Sequence, residues 1–133
     1  MDERAFLAPE ADQPWEYDPP GEGDTAAIRW RTLVSAGRTP TRGLSLGVLE
    51  VPPGARLAPH HHRPQEVYYV VAGEAEVFIA GAWRPARAGH VLYIPGAVVH
   101  GARNRGDAVC RIVWAFPVDD YDDVEYVDDH DPG

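Results

Sequence analysis

An all-β fold class is what this sequence predicts, and two observations predict it. From Ala26 onward, short runs of β-branched, aromatic and aliphatic residues are separated by Gly and Pro, the pattern in which strands and turns are written. No stretch of twelve or more residues keeps a 3.6-residue apolar period without a Gly or Pro interrupting it, so long helices have no place. The 13 Gly and 13 Pro among 133 residues supply the many turns that short strands need. One domain of this length buries roughly two thirds of the surface its unfolded chain exposes, and the strand spacing points to a barrel or sandwich.

The elements follow in order. Residues 1–25 are rich in Pro, Asp and Glu, with Trp15 and Tyr17 as large apolar anchors after Phe6 and Leu7, and read as an irregular N-terminal arm. The domain proper spans 26–117, with strands over 27–34, 44–51, 66–72, 74–80, 91–95 and 109–116. Gly37 to Gly43, Pro52-Pro53-Gly54, Gly73, Gly81, Gly89 and Pro95-Gly96 mark the turns between them. From Pro117 to Gly133 the chain carries eight acidic residues together with Tyr121, Val124, Tyr126 and Val127. Residues 118–133 therefore read as a solvated acidic tail, docked in part by its apolar members.

Charge and residue types exclude several functions. Acidic residues outnumber basic ones 21 to 12, for a net charge of −9, which leaves no cationic surface for a phosphate backbone, so no nucleic-acid partner is expected. All twelve basic residues are Arg. Without Lys there is neither lysine Schiff-base chemistry nor a phosphate-binding P-loop lysine. Cys110 is the lone cysteine, so an intramolecular disulfide and a thiolate zinc cage are both out of reach. Within its apolar strand it reads as inert filling. The first residues lack a signal-peptide pattern and no run approaches the ~20 apolar residues of a membrane span, so a cytoplasmic protein with no membrane partner is expected.

The chemistry concentrates in Pro59-His60-His61-His62-Arg63-Pro64-Gln65-Glu66 and the strand after it. Neutral imidazoles and a carboxylate are what a divalent transition metal requires. Alternation on an extended backbone puts His60 and His62 on one face and His61 on the other, so His61 is a solvent-facing or hydrogen-bonding residue. Glu66 and Tyr68 share a face of their strand. The turn imposed by Pro64 leaves the parity between His62 and Glu66 open. His90 and His130 carry no functional signal.

Gly54, His60, His62, Glu66 and Gly73 stand at the spacing G-x5-H-x-H-x3-E-x6-G, and Gly89, Pro95, His100 and Asn104 follow G-x5-P-x-G-x2-H-x3-N with Ala97 at the glycine position. These two motifs resemble those of the cupin family over roughly residues 40–116. The resemblance implies a double-stranded β-helix, or jelly-roll barrel, holding one divalent ion through His60, His62, Glu66 and His100, the ion being Fe(II), Mn(II), Ni(II), Co(II) or Zn(II). At Ala97 a positive φ would strain a residue with a Cβ.

The spacing His-x-His-x3-Glu-x-Tyr, with Trp114-Ala115-Phe116-Pro117 and Asp122-Asp123-Val124-Glu125-Tyr126 near the end, resembles the small cupin lyases that cleave dimethylsulfoniopropionate. That resemblance implies a small-molecule carboxylate substrate held by the metal beside Glu66, with Tyr68 taking the α-proton. For Tyr68 the residues alone leave packing and catalysis both open. Tyr93 and Trp114 are expected to line or close the substrate pocket. Arg29, Arg31 and Arg111 fall in strands, where each either faces solvent or grips a carboxylate, and Arg111 is assigned to the pocket. A lyase or isomerase is the expected enzyme, with an Fe(II) dioxygenase and a biosynthetic cyclase or non-enzymatic binder as alternatives. A homodimer is expected, because single barrels leave strand edges and sheet faces to cover, and the arm through Trp15 is the candidate to cross between subunits.

Overall fold

The clearest alternation in the chain runs through Cys110–Phe116, where Cys110, Ile112, Trp114 and Phe116 are buried and the residues between them only partly so. In the computed structural model, which describes residues 4–133, this is β10 of eleven strands. The larger sheet runs in the order β1 (Glu16–Tyr17), β2 (Arg29–Val34), β3 (Ser45–Val51), β10, β5 (Glu66–Ala72) and β8 (Val91–Ile94). The smaller one runs β11 (Val127–Asp128), β4 (Arg56–His61), β9 (His100–Arg103), β6 (Glu74–Ile79) and β7 (Ala82–Arg87). Every pairing is antiparallel. Among the described residues, helical structure is confined to the 3-10 turns Glu10–Asp12 and Tyr121–Asp123, and no helix is long and apolar enough to cross a membrane.

The inner faces of the two sheets meet in one core. Leu49, Val51, Val70, Ile112, Trp114 and Phe116 from the larger sheet close against Ala75, Val77 and Ala102 of the smaller. Trp114 lies directly across from Gly47 of β3. A Cβ at Gly47 would overlap both the Trp114 indole and the Arg31 carbonyl, so the glycine is what allows the indole to lie flat over that strand.

All six predicted strands are present, and three longer ones escaped prediction: β4, β7 and β9. Each lacks the β-branched signal. The β4 segment holds Pro59 and two histidines, and its register with β9 breaks between Leu57 and His60, where proline cannot donate to the ladder. Pro85 sits in β7, an edge strand where a missing N–H is tolerated. The β9 segment is short and carries Gly101, where an added Cβ would run into the Leu57 and Pro59 backbone.

The arm and tail are more structured than their composition predicts. The Trp15 ring lies between the guanidiniums of Arg29 and Arg31, 4.0 and 4.2 Å from their carbons, and β1 pairs with β2, so the arm is seated on the chain's own barrel. Glu10 pairs with Arg31 and Arg111. The tail is docked, pairing with β4 through β11, and its Asp129 and Asp131 bind His61 and Arg56 at 2.7 and 2.5 Å.

Candidate metal centre

Strand pairing assembles the centre. In the β4–β9 register His60 stands opposite His100, the first residue of β9. His62 follows the end of β4, and Glu66 opens β5 in the other sheet. The backbone turn through Pro64 brings Glu66 Oε1 to 3.1 Å from His62 Nε2 and 3.2 Å from His100 Nε2, which answers the parity left open by the sequence. One nitrogen from each of the three histidines lies within 4.8 Å of the others. All four side chains are buried, at 2, 2, 4 and 0% exposure for His60, His62, Glu66 and His100.

The imidazoles are held in a common tautomer. Nδ1 of His60, His62 and His100 lies 2.8, 2.9 and 2.8 Å from the carbonyl oxygens of Ala58, Pro64 and Val98. Those oxygens can only accept, so each Nδ1 carries the hydrogen and each Nε2 presents its lone pair to the centre. His60 Nε2 is buried and has no hydrogen-bond partner among the described residues. Burial above all, with His100 next, holds the His60 imidazole down to about 4, so it is neutral at ordinary pH.

Lone pairs from three imidazoles therefore face a buried carboxylate, and a positive species between them is what makes the arrangement favourable. Two donors each about 2.1 Å from one ion and at right angles lie about 3.0 Å apart, close to the 3.1 and 3.2 Å found from Glu66 to His62 and His100. Three nitrogens and one carboxylate oxygen suit a divalent transition ion, so the residues present fit such a group.

A cavity of about 490 Å³ opens from this floor. The barrel contributes His60, Glu66, Tyr68, Trp30, Leu49 and Trp114 to its wall, the arm Asp18 and Asp24, and the tail Tyr121, Tyr126 and Asp128. Tyr68 is 2% exposed and its ring meets His100 edge-on at 6.0 Å. Its hydroxyl bonds to no described residue, and burial first, then the Glu66 charge, pushes its pKa well above the usual phenol value.

Two residues assigned to the pocket lie elsewhere. Tyr93 is 56% exposed on the outer side of β8, its hydroxyl donating to Gln65 Oε1 at 2.5 Å. The reason is alternation: Ile94 faces the core, so its neighbour faces out. Arg111 is likewise on the outer face, odd in parity to the inward Trp114, where it binds Glu50 Oε2 at 2.7 Å and Glu10. Trp114 is in the wall. His61 points away from the centre to Asp129, and Cys110 is fully buried with its thiol pushed up to about 11 by burial, then by Glu74. Sequence reading missed Trp30, although alternation from the buried Ile28 would have turned it inward. It noted Tyr121 only as a docking residue, and Tyr126 as one and as the end of the run that resembles the lyases.

Comparisons with known proteins agree with this architecture. Residues 47–116 match the family model described as "Cupin domain". The dimethylsulfoniopropionate lyase DddW of Ruegeria pomeroyi is 37% identical over 99 residues, which are 74% of this chain and 64% of that protein's length. Protein SchB of Streptomyces halstedii is 37% identical over 108 residues, 80% of this chain and 75% of SchB. The structure of the polyketide cyclase RemF from Streptomyces resistomycificus superposes with a TM-score of 0.76 over 96% of this chain and 89% of RemF, at 20% identity. Two antiparallel sheets, three convergent imidazoles and the family match over most of the barrel lead to one conclusion: the chain belongs to the cupin family.

Proposed function

We propose that this protein is a metal-dependent lyase that removes an α-proton from a small carboxylate and eliminates a β-substituent. The observation that carries the reading is Tyr68, a buried residue whose hydroxyl has no hydrogen-bond partner among the described residues and which stands in the wall of the same cavity as His60 and Glu66. The kinship with DddW supports the class of reaction.

His60, His62, Glu66 and His100 would hold a divalent ion, which supplies a Lewis-acid anchor that polarises the substrate carboxylate. A cation there would offset the Glu66 charge that, after burial, holds the Tyr68 phenol above its usual range; having given its own proton to solvent through the open cavity, the Tyr68 phenolate would accept the α-proton. As that C–H bond breaks, its electron pair forms the new C=C bond, and the bond from the β-carbon to the leaving group breaks with its pair on the leaving group. Asp18 and Asp128, which are in no ion pair among the described residues, stand in the cavity wall, and burial first, then the Asp128 charge, raises the Asp18 pKa. Their charges favour a leaving group that departs from a positive centre.

The test is direct. Protein purified without metal-chelating chromatography is analysed for its metal, then assayed with and without O2 against small carboxylates, dimethylsulfoniopropionate among them. Tyr68→Phe is expected to lose about 10²- to 10⁴-fold in turnover while keeping its metal. An active Tyr68→Phe enzyme, or product formation that consumes O2, refutes the lyase reading.

A further inference from the structure

Three phenols face the cavity, and the chain beyond β10 supplies two of them. Tyr121 is fixed by its own N–H, which donates to Ser35 Oγ at 2.9 Å, and its ring lies 4.7 Å from Trp114. Tyr126 immediately precedes β11, whose two residues pair with His61 and His60, and this registration lays its ring over the ligand cluster. The ring stacks on His60 at 5.0 Å and 28° and meets His62 edge-on at 5.2 Å. One flank stays open, 42% exposed. The Tyr121 and Tyr126 hydroxyls are 3.3 Å apart. In such a pair one phenol donates to the other, and the acceptor keeps its own hydrogen for a third partner. No described residue provides that partner.

We infer that Tyr121 and Tyr126 form a paired hydroxyl donor that grips a carboxylate oxygen of the bound substrate above the His60 and Glu66 floor of the cavity, so that the tail completes a binding site the barrel alone leaves open. This rests on the cavity being a site for small carboxylates. A donor to an anion must keep its hydrogen, and a phenol, which ordinarily titrates at about 10, does so at ordinary pH. A hydrogen bond from a neutral phenol to a carboxylate is charge-assisted, and losing one weakens binding about ten- to hundredfold.

The experiment uses the full chain with its metal and propionate as the probe, followed by tryptophan fluorescence, to which Trp30 and Trp114 in the cavity wall contribute. Tyr126→Phe and Tyr121→Phe each keep the ring that packs on His60 or Trp114, so melting temperature and metal content are expected to stay put. Propionate is expected to bind about ten- to hundredfold more weakly to each. The double variant should be little worse than the worse single one, since the two hydroxyls act as a unit. Unchanged propionate affinity in both single variants, or no propionate binding by the parent protein, overturns the proposal. The lyase reading fails separately: propionate binding that depends on the two tyrosines, in a protein without eliminating activity, would refute that reading and leave this one standing.

Discussion

Acid should destabilise the metal-free protein through His60, and the size of the effect can be worked out. The imidazole is held down to about 4 in the fold, against 6.5 when unfolded, chiefly by burial and next by His100, with His62 and Glu66 also facing it. The native pKa is depressed, so the stability this group contributes is present above 6.5 and is lost as pH falls toward 4. Between those values the unfolded chain takes up a proton that the native one refuses, and each pH unit removes about 1.4 kcal/mol. Going from pH 7 to pH 5 should therefore remove about 2 kcal/mol through this residue. The measurement is urea unfolding after chelator treatment, at both pH values, for the parent protein and for His60→Gln. Whatever the glutamine does to absolute stability, the pH-dependent loss should be smaller in the variant by about 2 kcal/mol. Equal losses in the two proteins would mean that His60 is not kept neutral by the fold, and the lone-pair picture of the centre would fall with it.

Two further outcomes test the framework around the site. Ala97 has φ +65°, a region that costs a residue with a Cβ about 1 kcal/mol and glycine almost nothing, so Ala97→Gly should raise stability by about that amount in denaturant unfolding. A destabilised variant would contradict it. At Gly47 an added methyl has no room between the Trp114 indole and the Arg31 carbonyl, so Gly47→Ala should cost about 1–3 kcal/mol and change the tryptophan fluorescence of the native state; an unperturbed spectrum with unchanged stability would refute that packing.

The strands richest in Val, Ile and aromatic residues were legible from composition and period because in them the buried face and the local propensity say the same thing. Strands β4, β7 and β9 were not, since their prolines, glycine and histidines argue against a strand locally and only neighbouring strands override that. The ligand set was named from two motifs. Alternation separated His61 from its neighbours and, applied further, would have turned Tyr93 and Arg111 outward.

What the sequence by itself determined is the all-β character and the identity of the candidate ligands, because both depend on residue type at short, regular spacing along one strand. Only the tertiary structure decided where the cavity lies and what closes it. Trp30, Tyr68 and Trp114 come from three strands, Asp18 from the arm, and Tyr121 and Tyr126 from a tail whose composition reads as solvated surface. The physical reason is that a pocket wall is made by contacts between segments far apart in the chain. No local period encodes those contacts; they form when β11 pairs with β4 and the Tyr126 ring settles on His60.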